Sequence, residues 1–155
     1  MRALLAGTGL LFLAGVAHAQ TLVIEGQVRH KLSLSLEQLR TMPQATVQWS
    51  TRTERGDRTA FYEGPLLWEL LKAADPVDTP GEGAAGRSHL QHVVIARGAD
   101  GYAVAVAIGE IDPEFEGKKV VVSLPRGGQP TLQLAVPNDA RAGRGVRDLV
   151  ELEVR

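Results

Sequence analysis

Apolar and polar residues alternate along several short stretches of the chain, and this pattern predicts β-strands. Residues 21–29 show it clearly, because leucine, isoleucine and valine share one face while glutamate and glutamine occupy the other. The same pattern, or a short β-branched run, predicts strands over residues 21–29, 32–34, 45–52, 91–96, 102–108, 119–124, 131–136 and 149–154. Turn-forming residues at 53–59, 97–101 and 126–130 predict hairpins between them.

Two segments have the features of short helices. The first opens with Ser35 and carries Gln38 three residues later, a capping box, and this helix should end before Pro43. The second begins at Pro65, a residue well suited to the first helical position, and apolar side chains recur at helical spacing across residues 65–74.

These elements together predict one α+β domain. It is a β-rich mixed-sheet domain with two short helices, and it spans residues 20–155. Residues 75–87 are rich in glycine, proline and alanine without any period, so we expect a surface loop there rather than a domain boundary.

The amino terminus predicts export. Arg2 precedes an apolar run over residues 3–17, and Ala17 and Ala19 provide the small residues of a signal-peptidase site. The run is shorter than the roughly 20 residues that span a bilayer, which argues against the alternative of a retained anchor. We therefore expect residues 1–19 to be removed, leaving a periplasmic or secreted protein that begins at Gln20 and has no membrane span.

Composition excludes several functional classes. The chain has no cysteine, which rules out disulfides, thiolate metal ligands and cysteine catalysis. Loss of Arg2 with the signal changes the balance of basic to acidic residues from 17 against 18 to 16 against 18. This mildly acidic charge argues against a nucleic-acid partner.

Two local clusters could carry chemistry but favour simpler interpretations. His89 and His92 could bind a metal, yet their odd spacing puts them on opposite faces of a strand, so we expect two solvated histidines. Glu110 and Asp112 could form an acid–base pair, but closeness in the chain is no evidence of a shared cleft. No nucleophile elbow or phosphate-binding glycine loop is present.

The segment at residues 138–147, NDARAGRGVR, offers the most distinctive chemistry. Arg141, Arg144 and Arg147 recur every third residue between glycines that let the backbone approach a ligand. Guanidinium groups bind phosphate or carboxylate through paired hydrogen bonds. The alternative, which the sequence leaves open, is a solvated loop whose arginines pair with Asp139 and Asp148.

Four blocks follow one another along the chain, at residues 26–28 and 34–39, residues 61–71 (FYEGPLLWELL), residues 98–102 with 109–113, and residues 134–139 with 144–154. Taken in this order, they resemble the sulfite-oxidase-type molybdopterin-binding domain, particularly its small exported stand-alone members. The resemblance spans nearly the whole mature chain and rests on the order and spacing of the blocks.

This resemblance implies a mixed α+β fold and, in catalytic members, molybdenum held by the pterin and one protein cysteine. The corresponding segment here, residues 47–51, is VQWST and contains no thiolate, so we assign no catalytic or metal-ligating residue. Molybdopterin is the cofactor that the resemblance implies, and the residue patterns themselves assign no cofactor.

We therefore expect a non-catalytic binding or accessory protein for a small anionic ligand or another periplasmic protein. The candidate ligand-binding residues are Arg141, Arg144, Arg147, Asp139, Asp100 and Tyr102. One alternative is a molybdopterin-dependent oxidoreductase, or a subunit of one, with non-cysteine metal ligation. Another is an interaction module whose exposed sheet edges join a larger complex.

Overall fold

The computed structural model describes residues 20–76 and 88–155 of the 155-residue chain. The predicted signal peptide and most of the predicted loop at residues 75–87 lie outside the described residues. No helix within the described part is long and apolar enough to cross a membrane.

The described residues form nine strands and three short α-helices. The strands are β1 (Thr21–Gly26), β2 (Leu32–Ser35), β3 (Gln44–Thr53), β4 (Gly56–Pro65), β5 (Val93–Gly98), β6 (Ala103–Ala107), β7 (Val121–Ser123), β8 (Gln133–Ala135) and β9 (Leu149–Val154). The helices are α1 (Leu36–Thr41), α2 (Leu67–Ala74) and α3 (Ile108–Ile111).

Five strands make a mixed sheet in the order β2-β1-β9-β5-β6. β1 and β9 run parallel, and the other neighbours are antiparallel. The chain therefore brings its last strand to the middle of the sheet, where Leu149, Leu152 and Val154 are fully buried. Leu67, Leu70 and Leu71 of α2 belong to the same core.

Two further pairs, β3–β4 and β7–β8, stand apart from this sheet. β3 and β4 are ten residues each and pair along their whole length, from Gln44 opposite Pro65 to Thr53 opposite Gly56. Gly56 adopts a positive φ of 109°, which lets a tight turn close this long hairpin. The predicted turn at residues 53–59 is therefore shorter than expected, because β4 already begins at Gly56.

The predicted α+β fold, β-rich with a mixed sheet, is confirmed. The capping box is also confirmed, with Ser35 Oγ accepting from the N–H of Gln38 and the Gln38 side chain accepting from the N–H of Ser35. The placement of Pro65 at the first helical position is wrong. It pairs with Gln44 as the last residue of β4, and the helix begins two residues later at Leu67.

The expectation of two solvated histidines is wrong. His92 is only 3% exposed, and its Nδ1 lies 3.1 Å from the carbonyl oxygen of Arg155. His89 Nε2 lies 2.7 Å from Oδ2 of the buried Asp112. Both rings are held by structural partners because the segment before β5 is a 3₁₀ turn (Ser88–Gln91) packed against α3, an element that the sequence patterns did not predict.

Candidate functional site

A cleft of about 420 Å³ lies over one face of the β3–β4 hairpin. Because side chains alternate along a strand and register partners share a face, the hairpin contributes one row of residues from each strand. These are Trp49, Thr51 and Thr53 from β3, and Arg58, Ala60 and Tyr62 from β4. Thr51 lies directly opposite Arg58, and Trp49 lies opposite Ala60.

The turn between β5 and β6, together with the segment before β9, closes the other side of the cleft. The lining residues from this side and from β8 are Asp100, Tyr102, Gln133, Ala142, Gly145 and Arg147. Asp100 Oδ1 accepts from the N–H of Tyr102 at 2.9 Å, and the hydroxyl of Tyr102 donates to the carbonyl of Gly143 at 2.5 Å. These bonds tie the β5–β6 turn to the arginine-bearing segment.

Trp49 forms the floor of the cleft. Its side chain is 3% exposed, and its Nε1 donates to the carbonyl of Asp139 at 2.9 Å. The ring packs at 5.8 Å from that of Tyr62, centroid to centroid. Gly145 approaches the other side so closely that a Cβ there would lie 3.0 Å from the indole. Only glycine fits this approach without displacing one of the two groups.

A second glycine fixes the backbone of Arg147. A Cβ on Gly98 would lie 2.7 Å from the carbonyl oxygen of Arg147 and 3.0 Å from Asp100 Oδ1. The next residue, Ala99, donates its N–H to the carbonyl of Asp148 at 2.9 Å. The end of β5 therefore supports the backbone of two successive residues at the rim of the cleft.

Two arginines face this cleft without a carboxylate partner. Arg58 and Arg147 both line it, and neither forms a salt bridge within residues 20–76 and 88–155. The acidic lining residue, Asp100, already accepts a backbone hydrogen bond. The cleft thus combines two available guanidinium groups with the amide side chain of Gln133, a set of donors suited to an oxyanion.

Arg144, by contrast, is fully engaged in an ion cluster next to the cleft. It donates to Asp139 through Nε and Nη2, both at 2.7 Å, and to Glu110 through Nη1 at 2.9 and 3.1 Å. Lys118, whose side chain is 10% exposed, adds its Nζ at 3.2 Å from Glu110 and 3.6 Å from Asp139. The cluster joins α3 to the segment that precedes β9.

The cluster holds its carboxylates in the charged form. The hydrogen bonds from Arg144 lower the pKa of Asp139 and outweigh the opposing effect of burial. Burial raises the pKa of Glu110, but hydrogen bonds from Arg144, from the N–H of Ala107 and from Lys118 together bring that pKa below its usual value. The same carboxylates raise the pKa of Arg144. These pairings stabilise the segment and engage all three guanidinium nitrogens of Arg144.

The structure thus divides the predicted ligand-binding residues into two groups. Asp100, Tyr102 and Arg147 line the cleft together, whereas Arg144 and Asp139 pair with each other. Arg141 is exposed and does not line the cleft. The alternative left open by the sequence, pairing of the arginines with nearby aspartates, holds for Arg144 and Asp139, and Asp148 forms no salt bridge within the described chain.

Most residues of the cleft were not predicted from the sequence, and Arg58 and Trp49 are the most important of them. Arg58 lies in the predicted turn at residues 53–59, although the alternation begun in β3 places it opposite Thr51 once the hairpin register is known. Trp49 is buried and forms the floor of the cleft, a role that its position in a predicted strand does not indicate.

Comparisons with known proteins support the fold alone. No protein-family model matches the sequence, and no curated protein matches it. Among solved structures, the chain is similar to the sulfane dehydrogenase SoxCD from Paracoccus pantotrophus, with a TM-score of 0.65 and 18% sequence identity. The match covers 87% of this chain and 38% of that one. This likeness supports the predicted resemblance only as a distant relationship of fold.

The donors of the cleft do not fit the molybdenum centre that the resemblance implies. That centre needs a protein thiolate, and the chain has no cysteine. The cleft offers hydroxyl, amide and guanidinium groups instead. Within the described residues, no group of three histidine, aspartate or glutamate side chains could hold a metal ion. We therefore derive no redox step from this site.

Proposed function

We propose that this chain is an exported, non-catalytic binding or accessory domain that holds a small anionic ligand in the cleft over the β3–β4 hairpin. The observation that carries the proposal is the pair Arg58 and Arg147, which line one cleft without a carboxylate partner in the described residues. Arg144, three residues from Arg147, is saturated by Asp139 and Glu110. Arg144 therefore has a structural role, whereas Arg58 and Arg147 are available to a ligand.

The cleft's chemistry favours an oxyanion such as phosphate, sulfate or a carboxylate. A guanidinium presents parallel N–H donors whose spacing matches two oxygens of such a group. The Gln133 amide adds a neutral donor to the lining, whereas the Thr53 hydroxyl already donates to the carbonyl of Gly56 at 2.6 Å. The floor of the cleft is the buried ring of Trp49.

Export is the second part of the proposal. The apolar run at residues 3–17 and the Ala17-His18-Ala19 site support secretion or delivery to the periplasm. The absence of cysteine makes the fold independent of disulfide formation in that compartment. The ligand would therefore be an anion present outside the cytoplasm, or an anionic group on another exported protein.

The alternative function, a molybdopterin-dependent oxidoreductase or subunit with non-cysteine ligation, has the fold similarity in its favour. The donor set of the cleft stands against it. Molybdenum and pterin analysis of the protein, expressed with its own signal in a molybdopterin-competent host, separates the two. Our proposal predicts a folded protein without either, and about one of each per chain would favour the alternative.

Calorimetric titration of the mature protein with phosphate, sulfate and citrate tests the binding proposal. We expect Arg147→Gln to weaken binding of the best anion tenfold or more, since hydrogen bonds to charged groups contribute roughly 1.5–3 kcal/mol. Arg141→Gln removes the same charge from the same segment but outside the cleft, so it is the matched control. Equal effects of both substitutions would contradict the proposed site.

A further inference from the structure

One edge of β4 lies open beside the cleft. The carbonyl of Glu63 accepts from the N–H of Leu124, so the backbone groups of Glu63 point away from β3. Backbone groups alternate in direction along an antiparallel strand, and therefore Asp57, Thr59 and Phe61 also direct their N–H and C=O groups away from β3. The opposite edge of the hairpin agrees with this register, since the N–H of Arg52, opposite Asp57, donates to Ala140.

These outward groups have no backbone partner in the described chain. Beyond Phe61, the strand edge is occupied, since Leu124 bonds to Glu63 and Leu67 bonds to Val120. No hydrogen bond to the N–H or C=O of Asp57, Thr59 or Phe61 exists from any other described element. The free edge covers residues 57–61, a length of roughly 17 Å at 3.4 Å per residue.

A groove of about 740 Å³ lies beside the Phe61 end of this edge. Its near wall is β4, and its far wall is the turn at residues 126–131. It touches residues from both faces of β4, Arg58 on one and Phe61 on the other, as a channel beside a strand edge must. It shares Arg58 and Arg147 with the cleft. The groove therefore begins where the unpaired edge ends, at Phe61, and continues into the candidate anion site.

The charges and the exposed aromatic ring define what would fit there. The groove is lined by Arg58, Arg126 and Arg147 against one acid, Asp148. The ion pair of Arg126 with Glu63, at 3.4 Å, joins two side chains that are each about half exposed. Phe61 is 61% exposed at the same edge. A ligand with a backbone, acidic side chains and some apolar surface matches all three features.

We propose that β4 binds an extended acidic segment of a partner protein, which adds to its free edge as an antiparallel or parallel strand. Backbone hydrogen bonds to Asp57, Thr59 and Phe61 would supply affinity, and the arginines would select acidic side chains. The proposal goes beyond a small-anion site, because it requires the strand edge as well as the arginines.

Matched proline substitutions separate the edge from the rest of the hairpin. Thr59→Pro removes an outward N–H, and proline is tolerated where the N–H of an edge strand faces away from its neighbour. Ser50→Pro does the same on the opposite edge, and the register pairs the two residues. The two hydroxyls bond each other at 2.8 Å, so both variants lose the same side-chain contact.

The experiment selects ligands for the mature protein from a random decapeptide library displayed on phage and then titrates the selected peptides. We expect enrichment in aspartate and glutamate, binding at least tenfold weaker to Thr59→Pro, and binding within twofold of wild type for Ser50→Pro. A peptide with alternate backbone nitrogens methylated should bind at least tenfold more weakly to the wild-type protein, a result that does not depend on how any variant folds.

Four results would overturn the inference. The first is failure to select acidic peptides, and the second is equal binding of the selected peptides to Thr59→Pro and to wild type. The third is slow amide exchange at Thr59 and Phe61 in the free protein, which would mean that the chain covers its own edge. The fourth is a wild-type dimer that Thr59→Pro dissociates, which would assign the edge to a second copy. Phosphate binding that survives in Thr59→Pro while peptide binding never appears would refute the edge and leave the small-anion site standing.

Discussion

Arg144 and Asp139 hold each other through two parallel hydrogen bonds, from Nε to Oδ2 and from Nη2 to Oδ1, each 2.7 Å long. The remaining Nη1 of Arg144 reaches both carboxylate oxygens of Glu110. One side chain therefore connects α3 to the segment that carries Arg147, and the indole of Trp49 bonds to the backbone of that same Asp139. Arg144, the middle one of the three arginines in residues 138–147, thus stabilises the segment that forms one side of the cleft.

Replacing Arg144 should destabilise the fold. In Arg144→Ala, Lys118 alone would balance the negative charges of Asp139 and Glu110. All three of these side chains are at most about a quarter exposed. Breaking a partly buried ion pair from one side should cost about 2 kcal/mol, between the values for surface and buried pairs. Urea unfolding measures this free energy. Arg141→Ala, at an exposed position nearby, should change it by under about 0.5 kcal/mol.

The same cluster predicts sensitivity to acid. The folded-state pKa values of Glu110 and Asp139 lie below their ordinary values of 4.5 and 3.8. Their contribution to stability is therefore present above those ordinary values and is lost as the pH falls through the lower folded values. We expect the free energy of unfolding to decrease from about pH 5 downward. This decrease should be smaller in Arg144→Ala, and an identical pH profile in both proteins would show that the cluster is not the cause.

Gly98 should control the position of Arg147. A methyl group at Gly98 would lie 2.7 Å from the backbone oxygen of Arg147, so the two segments must separate in Gly98→Ala. Gly143→Ala is the control, because a Cβ there meets no atom within 4 Å. We expect Gly98→Ala to weaken anion binding by about tenfold and to destabilise the fold by about 1–3 kcal/mol, the usual cost of overpacking. Unchanged affinity in calorimetry would mean that the position of Arg147 is unimportant for the ligand.

Export has its own direct test. Expression of the full chain in a bacterial host should yield a periplasmic protein whose intact mass corresponds to a start at Gln20. Ala19→Arg places a large charged residue at the position that signal peptidase reads, and the leader should then remain attached. A wild-type protein that keeps its first 19 residues and sediments with membranes would support the anchor instead.

The sequence predicts the fold better than the site because the two depend on different ranges of interaction. Alternation in β9 and the Ser35–Gln38 capping box are local, and both elements form as expected. The third helix, α3, has only four residues and no period long enough to detect. Pro65 shows the limit of local preference, since pairing of β4 with β3 extends the strand through a residue that also suits a helix start.

The site depends on contacts between distant residues. Arg147 and Arg58 meet in one cleft although 89 positions separate them in the numbering, and nothing in either local motif indicates this. Arg144 and Arg147 have different roles because Glu110 binds Arg144. Glu110 reaches Arg144 because α3 packs against the segment before β9. Spacing in the sequence identified the segment, and tertiary contacts decided which of its arginines remains available.

The most direct test of the central claim is titration of the best-binding anion against the wild-type protein, Arg58→Gln, Arg147→Gln and Arg141→Gln. The account predicts that the first two substitutions each weaken binding tenfold or more, while Arg141→Gln binds within twofold of wild type, and that all variants unfold at the wild-type temperature. Equal weakening by all three substitutions would mean that the anion responds to net charge alone, and undiminished binding in Arg147→Gln would place the ligand outside this cleft.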